Sequence, residues 1–126
     1  MQVSVTLLYG SLCTLLVAAL GMNVSRVRVA QKVFVGGTPD ANLTRFIRAH
    51  GNAAEWAPLQ ILMLLMLELT GAGSMALHVA GGAILFSRLL HAGGIYLKSG
   101  VTAAAAAITY VATVTMAIWG LVLHFR

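Results

Sequence analysis

Charged and polar side chains lie inside two segments of the chain that are otherwise strongly apolar. The first segment holds Arg48, Asn52 and Glu55, at positions i, i+4 and i+7. This spacing places all three on one face of a helix. The second segment holds Arg88 and His91, one helical turn apart. Arginine binds carboxylates through paired hydrogen bonds, so these residues indicate a site for an acidic small molecule.

The composition of the chain requires a membrane environment. Of its 126 residues, 60% are hydrophobic and 9% are charged. Soluble domains carry about 25% charged residues. A soluble fold of this size could not bury so much apolar surface, so we expect a multi-pass integral membrane protein in contact with lipid. A bacterial inner membrane or its equivalent is the expected location.

The net charge of +5 does not indicate a nucleic-acid-binding protein. The basic residues lie mostly between the apolar stretches, as they do in cytoplasmic membrane loops, and they do not form a basic stripe on one polar face. The single cysteine, Cys13, cannot form a disulfide within the chain. No cysteine spacing typical of a metal site is present, so no metal is expected.

Four apolar stretches predict an all-α membrane protein, an antiparallel bundle of four transmembrane helices in a single domain spanning residues 1–126. Short turns separate the second helix from the third and the third from the fourth, which makes neighbours antiparallel. Pro58 is expected to weaken or kink the second helix, and Thr38 or Asp40 to cap it. The predicted helices span residues of about 3–24, 42–69, 75–97 and 101–125.

The distribution of basic residues predicts the orientation in the membrane. Arg26, Arg28 and Lys32 lie in the first predicted loop, and Lys98 lies in the third. The opposite side offers only Arg126 as a basic side chain. Cytoplasmic loops carry an excess of Lys and Arg, so both termini are expected on the non-cytoplasmic side.

Glu55 and Arg88 are expected to form an ion pair inside the bundle. Glu55 lies about 10 Å along its helix beyond Arg48. Arg88 lies about 15 Å before Lys98, so in antiparallel helices Glu55 and Arg88 would lie at similar depth. Charged groups in a membrane helix usually face protein or water. Such a pair could be purely structural. The alternative is a ligand site. It is favoured by the remaining cationic or titratable groups, Arg45, Arg48, His50 and His91.

The segment Arg-Ala-His-Gly-Asn-Ala-Ala-Glu at residues 48–55, followed by Pro58, resembles a family signature. The MAPEG superfamily (membrane-associated proteins in eicosanoid and glutathione metabolism) carries approximately Arg-x-His-x-Asn-x-x-Glu, with a proline soon after. Residues 88–91, Arg-Leu-Leu-His, are similar to its Arg-x-x-His stretch. The chain looks like a bacterial-type, microsomal glutathione transferase-like member. This resemblance implies a homotrimer that binds glutathione, as co-substrate, between subunits near the cytoplasmic face.

The resemblance also implies roles for individual residues, with two departures from the family pattern. Enzymes of the family commonly carry a tyrosine four residues after the helix-three histidine, where this chain has Ile95 beside Tyr96. They also carry an arginine near the start of helix four, where Lys98 and Ser99 are the nearest polar residues. By motif position, the catalytic candidates are Tyr96 and Arg88, and the glutathione-binding candidates are Arg28, Arg48, His50, Asn52, Glu55, Arg88 and His91.

Two functions fit the resemblance. The first is a glutathione-dependent transferase or peroxidase that acts on lipophilic electrophiles and activates the glutathione thiol with nearby cations. The alternative is a non-enzymatic, lipid-binding membrane protein of the same fold, which the two departures favour. A transporter is disfavoured because the chain is short and shows no inverted repeat.

Overall fold

Four α-helices make up the protein in a computed structural model that describes residues 3–34 and 37–126. Three of the helices, α1, α3 and α4, are long and apolar enough to cross a membrane. The fold class is therefore confirmed as an all-α membrane bundle. The helices are α1 (Ser4–Gln31), α2 (Ala41–Leu69), α3 (Ser74–Tyr96) and α4 (Val101–His124).

Helix α2 is the most polar of the four, and it packs against each of the other three. Helix α3 also contacts all of its neighbours, whereas α1 and α4 lie on opposite sides of the α2–α3 pair and do not touch within the described chain. Because α2 is central, part of the surface of its polar N-terminal half contacts other helices instead of lipid. The apolar core at the end of the bundle that carries the chain termini includes Leu64, Leu77 and Ile84.

Helix α1 is longer than the sequence predicted. It continues to Gln31, rather than ending near Val24, and Arg26 and Arg28 are therefore helical residues instead of loop residues. Its 28 residues span about 42 Å, beyond the roughly 30 Å of a hydrocarbon core. Basic side chains near a helix C-terminus interact favourably with the helix dipole. The polar, basic residues that follow Val24 therefore continue α1 and do not terminate it. It ends at Lys32, which adopts the left-handed conformation with φ of 56°.

Helix α2 begins at a side-chain cap. The backbone N–H of Leu43 donates to Oδ1 of Asp40 at 2.7 Å, which confirms Asp40 as the predicted cap. This hydrogen bond holds the pKa of the Asp40 carboxyl below its ordinary value. Pro58 does not interrupt α2, which remains one helix to Leu69, and its ring lies on the exposed surface.

Helix α1 begins at a cap that comes from another helix. Glu68, in the last turn of α2, accepts hydrogen bonds from two backbone N–H groups of α1. Val5 donates to Oε1 at 2.9 Å and Thr6 donates to Oε2 at 2.7 Å. The first N–H groups of a helix lack partners within it, and a carboxylate there also favours the helix dipole. Glu68 therefore fixes the start of α1 against the end of α2.

Helix α3 approaches α1 closely at a glycine. The ring of Tyr9 lies so near the backbone of Gly81 that a Cβ atom at this position would overlap the ring. The Tyr9 hydroxyl lies 3.3 Å from Nδ1 of His78, one turn away. This contact and the Glu68 cap hold α1 in place at the end of the bundle opposite the Arg48–Glu55 segment.

Candidate functional site

Arg88 lies at the centre of the bundle, where three helices meet. Only 1% of its surface is exposed. Its Nη1 donates to Asn52 on α2, to the side-chain Oδ1 at 2.7 Å and to the backbone oxygen at 3.3 Å. Its Nη2 donates to the hydroxyls of Thr109 on α4 and Ser87 on α3. The guanidinium thus ties α2, α3 and α4 together through neutral acceptors.

The predicted ion pair between Glu55 and Arg88 is wrong within the protomer. Glu55 is exposed on the surface of α2, and its carboxylate is not among the partners of Arg88. Asn52 and Glu55 are three residues apart, which separates them by about 60° around the helix axis. Asn52 occupies the direction that faces α3, so Glu55 is turned outward.

The polar network continues along α4 and includes residues that the sequence analysis did not select. Thr109 donates its hydroxyl to the backbone oxygen of Ala105 at 2.8 Å. Gln60, which has no exposed surface, donates through Nε2 to the Thr113 hydroxyl at 2.9 Å and to the Thr109 backbone oxygen at 3.3 Å. Gln60 could have been selected from the sequence, because it is an amide side chain inside the apolar run of α2. Threonines give little signal, since their hydroxyls bond to their own helix.

Tyr96 belongs to a second polar group, at the side of α2 that faces α1. Asn23 on α1 donates through Nδ2 to the Tyr96 hydroxyl oxygen at 2.7 Å. Arg26 donates in turn to Oδ1 of Asn23 at 2.9 Å. The Tyr96 ring stacks on Phe46 of α2, with ring centroids 4.7 Å apart, and 37% of Tyr96 is exposed. Ile95 instead packs toward Leu20, Ala49 and other apolar residues inside the bundle.

His50 lies on this same side of α2. Its imidazole ring faces the backbone of Gly21 on α1, where a Cβ atom would come within 3.1 Å of Nε2. Arg28 is half-buried in the last turn of α1, at the same end of the bundle. The fold therefore places His50 and Tyr96 on the side of α2 that faces α1. Arg28 lies in α1, at the same end of the bundle.

The remaining candidates lie on the side of α2 next to α4. Arg48 is exposed on this face, and Asn52 is half-buried. His91 is half-buried on α3, near enough to Arg48 and Arg88 to interact electrostatically with both. Its Nδ1 is buried and has no hydrogen-bond partner in the described part of the chain. Two other buried polar atoms in the described residues also lack a partner, Oγ1 of Thr6 and Oε1 of Gln60.

The predicted site residues thus form two groups within one protomer. Phe46, against which Tyr96 stacks, lies about 160° from Arg48 around the axis of α2. The two groups therefore face different sides of α2 within one protomer. Within residues 3–34 and 37–126, no three His, Cys, Asp or Glu side chains come together as a set that could hold a metal ion.

Comparison with known proteins identifies the family of this chain. The model of the MAPEG family matches residues 6–122. The chain belongs to the MAPEG family. The inner membrane protein YecN of Escherichia coli strain K12 is 35% identical to this MAPEG chain over 92 residues, which cover 73% of this chain and 70% of YecN. YecN of Escherichia coli O6:H1 strain CFT073 matches with the same identity and coverage.

Membership of the MAPEG family places the protein among membrane proteins of eicosanoid and glutathione metabolism. The fold agrees, since three apolar helices and a relative named for the inner membrane both indicate an integral membrane protein. The motif residues of the MAPEG chain lie where α2 and α3 carry their polar side chains. Arg48, Asn52 and Glu55 offer cationic, amide and carboxylate groups that suit a ligand with both acidic and amino groups.

Proposed function

We propose that this protein is a glutathione-dependent transferase or peroxidase that acts on lipophilic electrophiles. The observation that carries the proposal is the exposed Arg48 beside the half-buried Asn52, on a helix face within a membrane protein. A cation on this face costs free energy unless it meets an anionic partner or water. Glutathione provides two carboxylates for Arg48 and one amino group for Glu55.

Tyr96 would activate the glutathione thiol. Its hydroxyl oxygen already accepts a hydrogen bond from Asn23, so its own proton is free to donate. A donor that itself accepts a hydrogen bond is strengthened by the chain of bonds. Donation to the sulfur favours the thiolate, and the thiol proton leaves to water. The sulfur then attacks an electrophilic carbon of the substrate, and the bond that breaks at this carbon gives its electron pair to the leaving group. Tyr96 would thus replace the tyrosine expected at Ile95.

The separation of the two groups supports a site shared between subunits. Arg48 and the Phe46–Tyr96 stack lie on opposite sides of α2, so one ligand reaches both groups only if two protomers meet. We propose a homotrimer, in which the Arg48 face of one protomer meets the Tyr96 face of the next. His50 and Arg28 would then act with Tyr96, and Asn52 and Glu55 with Arg48. The site would face the cytoplasm, with both termini on the other side.

An apolar groove between α3 and α4 would take the lipophilic substrate. Its volume is about 780 Å³, and small side chains such as Ala83 and Ala107 line it, together with Trp119. Ala83 and Ala107 lie within about two helical turns of Arg88 and Thr109 along the chain. A hydrophobic electrophile dissolved in the bilayer could therefore enter the groove from the side.

Purified protein in detergent tests the proposal directly. Glutathione should raise the melting temperature in a concentration-dependent way, because a ligand that binds only the folded state stabilises it. Arg48→Ala should reduce this shift, whereas Arg126→Ala, at the other end of the bundle, should leave it unchanged. Conjugation of several electrophiles should follow the same pattern. No thermal shift and no conjugation in the wild-type protein would refute the proposal.

Subunit mixing tests the shared site. Arg48→Ala and Tyr96→Phe should each lower conjugation when expressed alone. Co-expression should restore part of the activity, because some mixed trimers contain one interface with both intact groups. Activity in the mixture equal to the average of the two single variants would contradict a shared site.

A non-enzymatic lipid-binding protein is the second candidate function. The apolar Ile95, packed inside the bundle where a tyrosine was expected, favours it. In that case a lipid should copurify with the protein, and Arg48→Ala should not change the amount bound. Loss of lipid on adding glutathione would instead favour the enzyme.

A further inference from the structure

Asn52 is held in one orientation by its neighbour Arg88. An arginine side chain has only hydrogen-bond donors and no acceptor. Arg88 Nη1 lies 2.7 Å from the Asn52 side chain, so the atom that faces Arg88 must be the carbonyl Oδ1. The Asn52 Nδ2 group must then point away from Arg88. Among residues 3–34 and 37–126, no acceptor takes up Nδ2, and Asn52 is half-buried.

Arg88 cannot turn to release Asn52, because its other donors are also occupied. Its Nε and Nη2 both lie 3.4 Å from Oγ of Ser87, and Nη2 also donates to the Thr109 hydroxyl. Thr109 is 2% exposed and is fixed through its bond to the Ala105 backbone oxygen. The Thr109 hydroxyl on α4 therefore helps to hold Arg88 in the position from which it fixes the Asn52 amide on α2.

We propose that Arg88 and Thr109 are positioning residues, which fix Asn52 so that it offers only N–H donors to an anionic group of the ligand. The inference rests on the proposed binding of an acidic thiol tripeptide by this face of α2. Arg88 itself does not touch the ligand, since it is 1% exposed and all its donors face protein atoms. Its role therefore differs from the direct catalytic contact that the motif implied.

The arrangement specifies the chemistry of the ligand group. The guanidinium polarises the Asn52 amide, which makes Nδ2 a stronger donor. Arg48 lies one helical turn before Asn52 on the same face and adds positive charge. A carboxylate or thiolate satisfies both groups. An ammonium group meets only donors and a cation, so it is excluded from this position.

Asn52→Asp is the sharpest test. The carboxylate has the shape of the amide and forms an ion pair with Arg88, but it has no N–H donor. We expect the variant to melt at or above the temperature of Asn52→Ala and to bind glutathione at least about tenfold more weakly than wild type. The inference is overturned if Asn52→Asp binds glutathione as tightly as wild type, or if it melts below Asn52→Ala.

Variants of Thr109 test whether its hydroxyl positions Arg88 or whether the side chain only packs against it. Thr109→Val keeps the shape of the side chain but removes the acceptor for Arg88, whereas Thr109→Ser keeps the hydroxyl. Glutathione affinity should fall by about threefold or more in Thr109→Val and should recover in Thr109→Ser. Equal affinities in the two variants would overturn the role of Thr109.

Failure of the two proposals can be distinguished. If wild-type protein binds no glutathione, the proposed function is refuted. The melting order of Asn52→Asp and Asn52→Ala then decides by itself whether Arg88 fixes the amide. If wild type binds glutathione and the Asn52 and Thr109 variants bind it as tightly as wild type does, only the positioning role is refuted.

Discussion

Removal of the Glu68 carboxylate should detach the start of α1 from the end of α2. The carboxylate accepts from Val5 and Thr6 at 2.9 and 2.7 Å, so two backbone N–H groups lose their partners in Glu68→Ala. A helix cap is worth about 0.5–2 kcal/mol, and a negative charge near a helix N-terminus adds about 0.3–1 kcal/mol. The free energy of unfolding should therefore fall by about 1–3 kcal/mol.

Glu68→Gln separates the two contributions. The amide keeps one acceptor oxygen but loses the charge and the second acceptor, so its stability should lie between those of wild type and Glu68→Ala. Thermal melts in detergent should show a decrease of about 5–10 °C for Glu68→Ala. Hydrogen exchange should become faster at the amides of Val5 and Thr6 and should not change at the amides in the middle of α3.

Leu69→Ala is the matched control, because it truncates the neighbouring side chain, which is 46% exposed, without touching the cap. It should melt within a few degrees of wild type. If Glu68→Ala and Leu69→Ala have the same melting temperature, or if exchange at Val5 and Thr6 stays unchanged, the cap does not stabilise α1 and the reasoning is refuted.

Three further predictions concern other parts of the bundle. Gly81→Ala should lower stability by about 1–3 kcal/mol, since its Cβ overlaps the Tyr9 ring, whereas Gly82→Ala should be neutral or stabilising in the same melts. The lowered pKa of the Asp40 carboxyl means that its stabilising contribution is complete above the unfolded pKa of about 3.9 and is lost as pH falls through the lower folded value. Acid melts of wild type should therefore lose stability in that range more steeply than melts of Asp40→Asn; parallel curves would contradict this. Tyr96→Phe should lower the conjugation rate by about tenfold or more with glutathione affinity nearly unchanged, and an unchanged rate would exclude Tyr96 as the thiol's donor.

The sequence identified the elements of the fold because lipid leaves few alternatives. Every backbone polar group in the bilayer must be satisfied within the segment, so a long apolar run predicts a helix. The start of α4 followed from this. The first half of α2 is polar, and its start followed from the turn residues before it; Thr38 or Asp40 was predicted as the cap, and the structure has Asp40. The end of α1 was predicted too early, because the change from apolar to basic residues marks the membrane boundary and does not mark the end of the helix.

The partners of the polar side chains were harder to predict. Opposite charges at similar depth indicated a pair between Glu55 and Arg88. In the structure, neutral groups on three helices satisfy Arg88 and Glu55 lies exposed. Depth can be counted along a sequence, but the direction of a side chain depends on how each helix is rotated in the bundle. Packing sets that rotation, which is why Thr109 was not found.

The sequence alone therefore determined the membrane environment, the four helices and the family motif at residues 48–55, since hydrophobicity and spacing are local properties. The tertiary structure decided which polar side chains meet. It turned Arg88 inward, onto Asn52 and Thr109, and it placed the Tyr96 hydroxyl beside Asn23 of α1. These contacts join residues more than 20 positions apart, and only the packing of helices against one another brings such residues together.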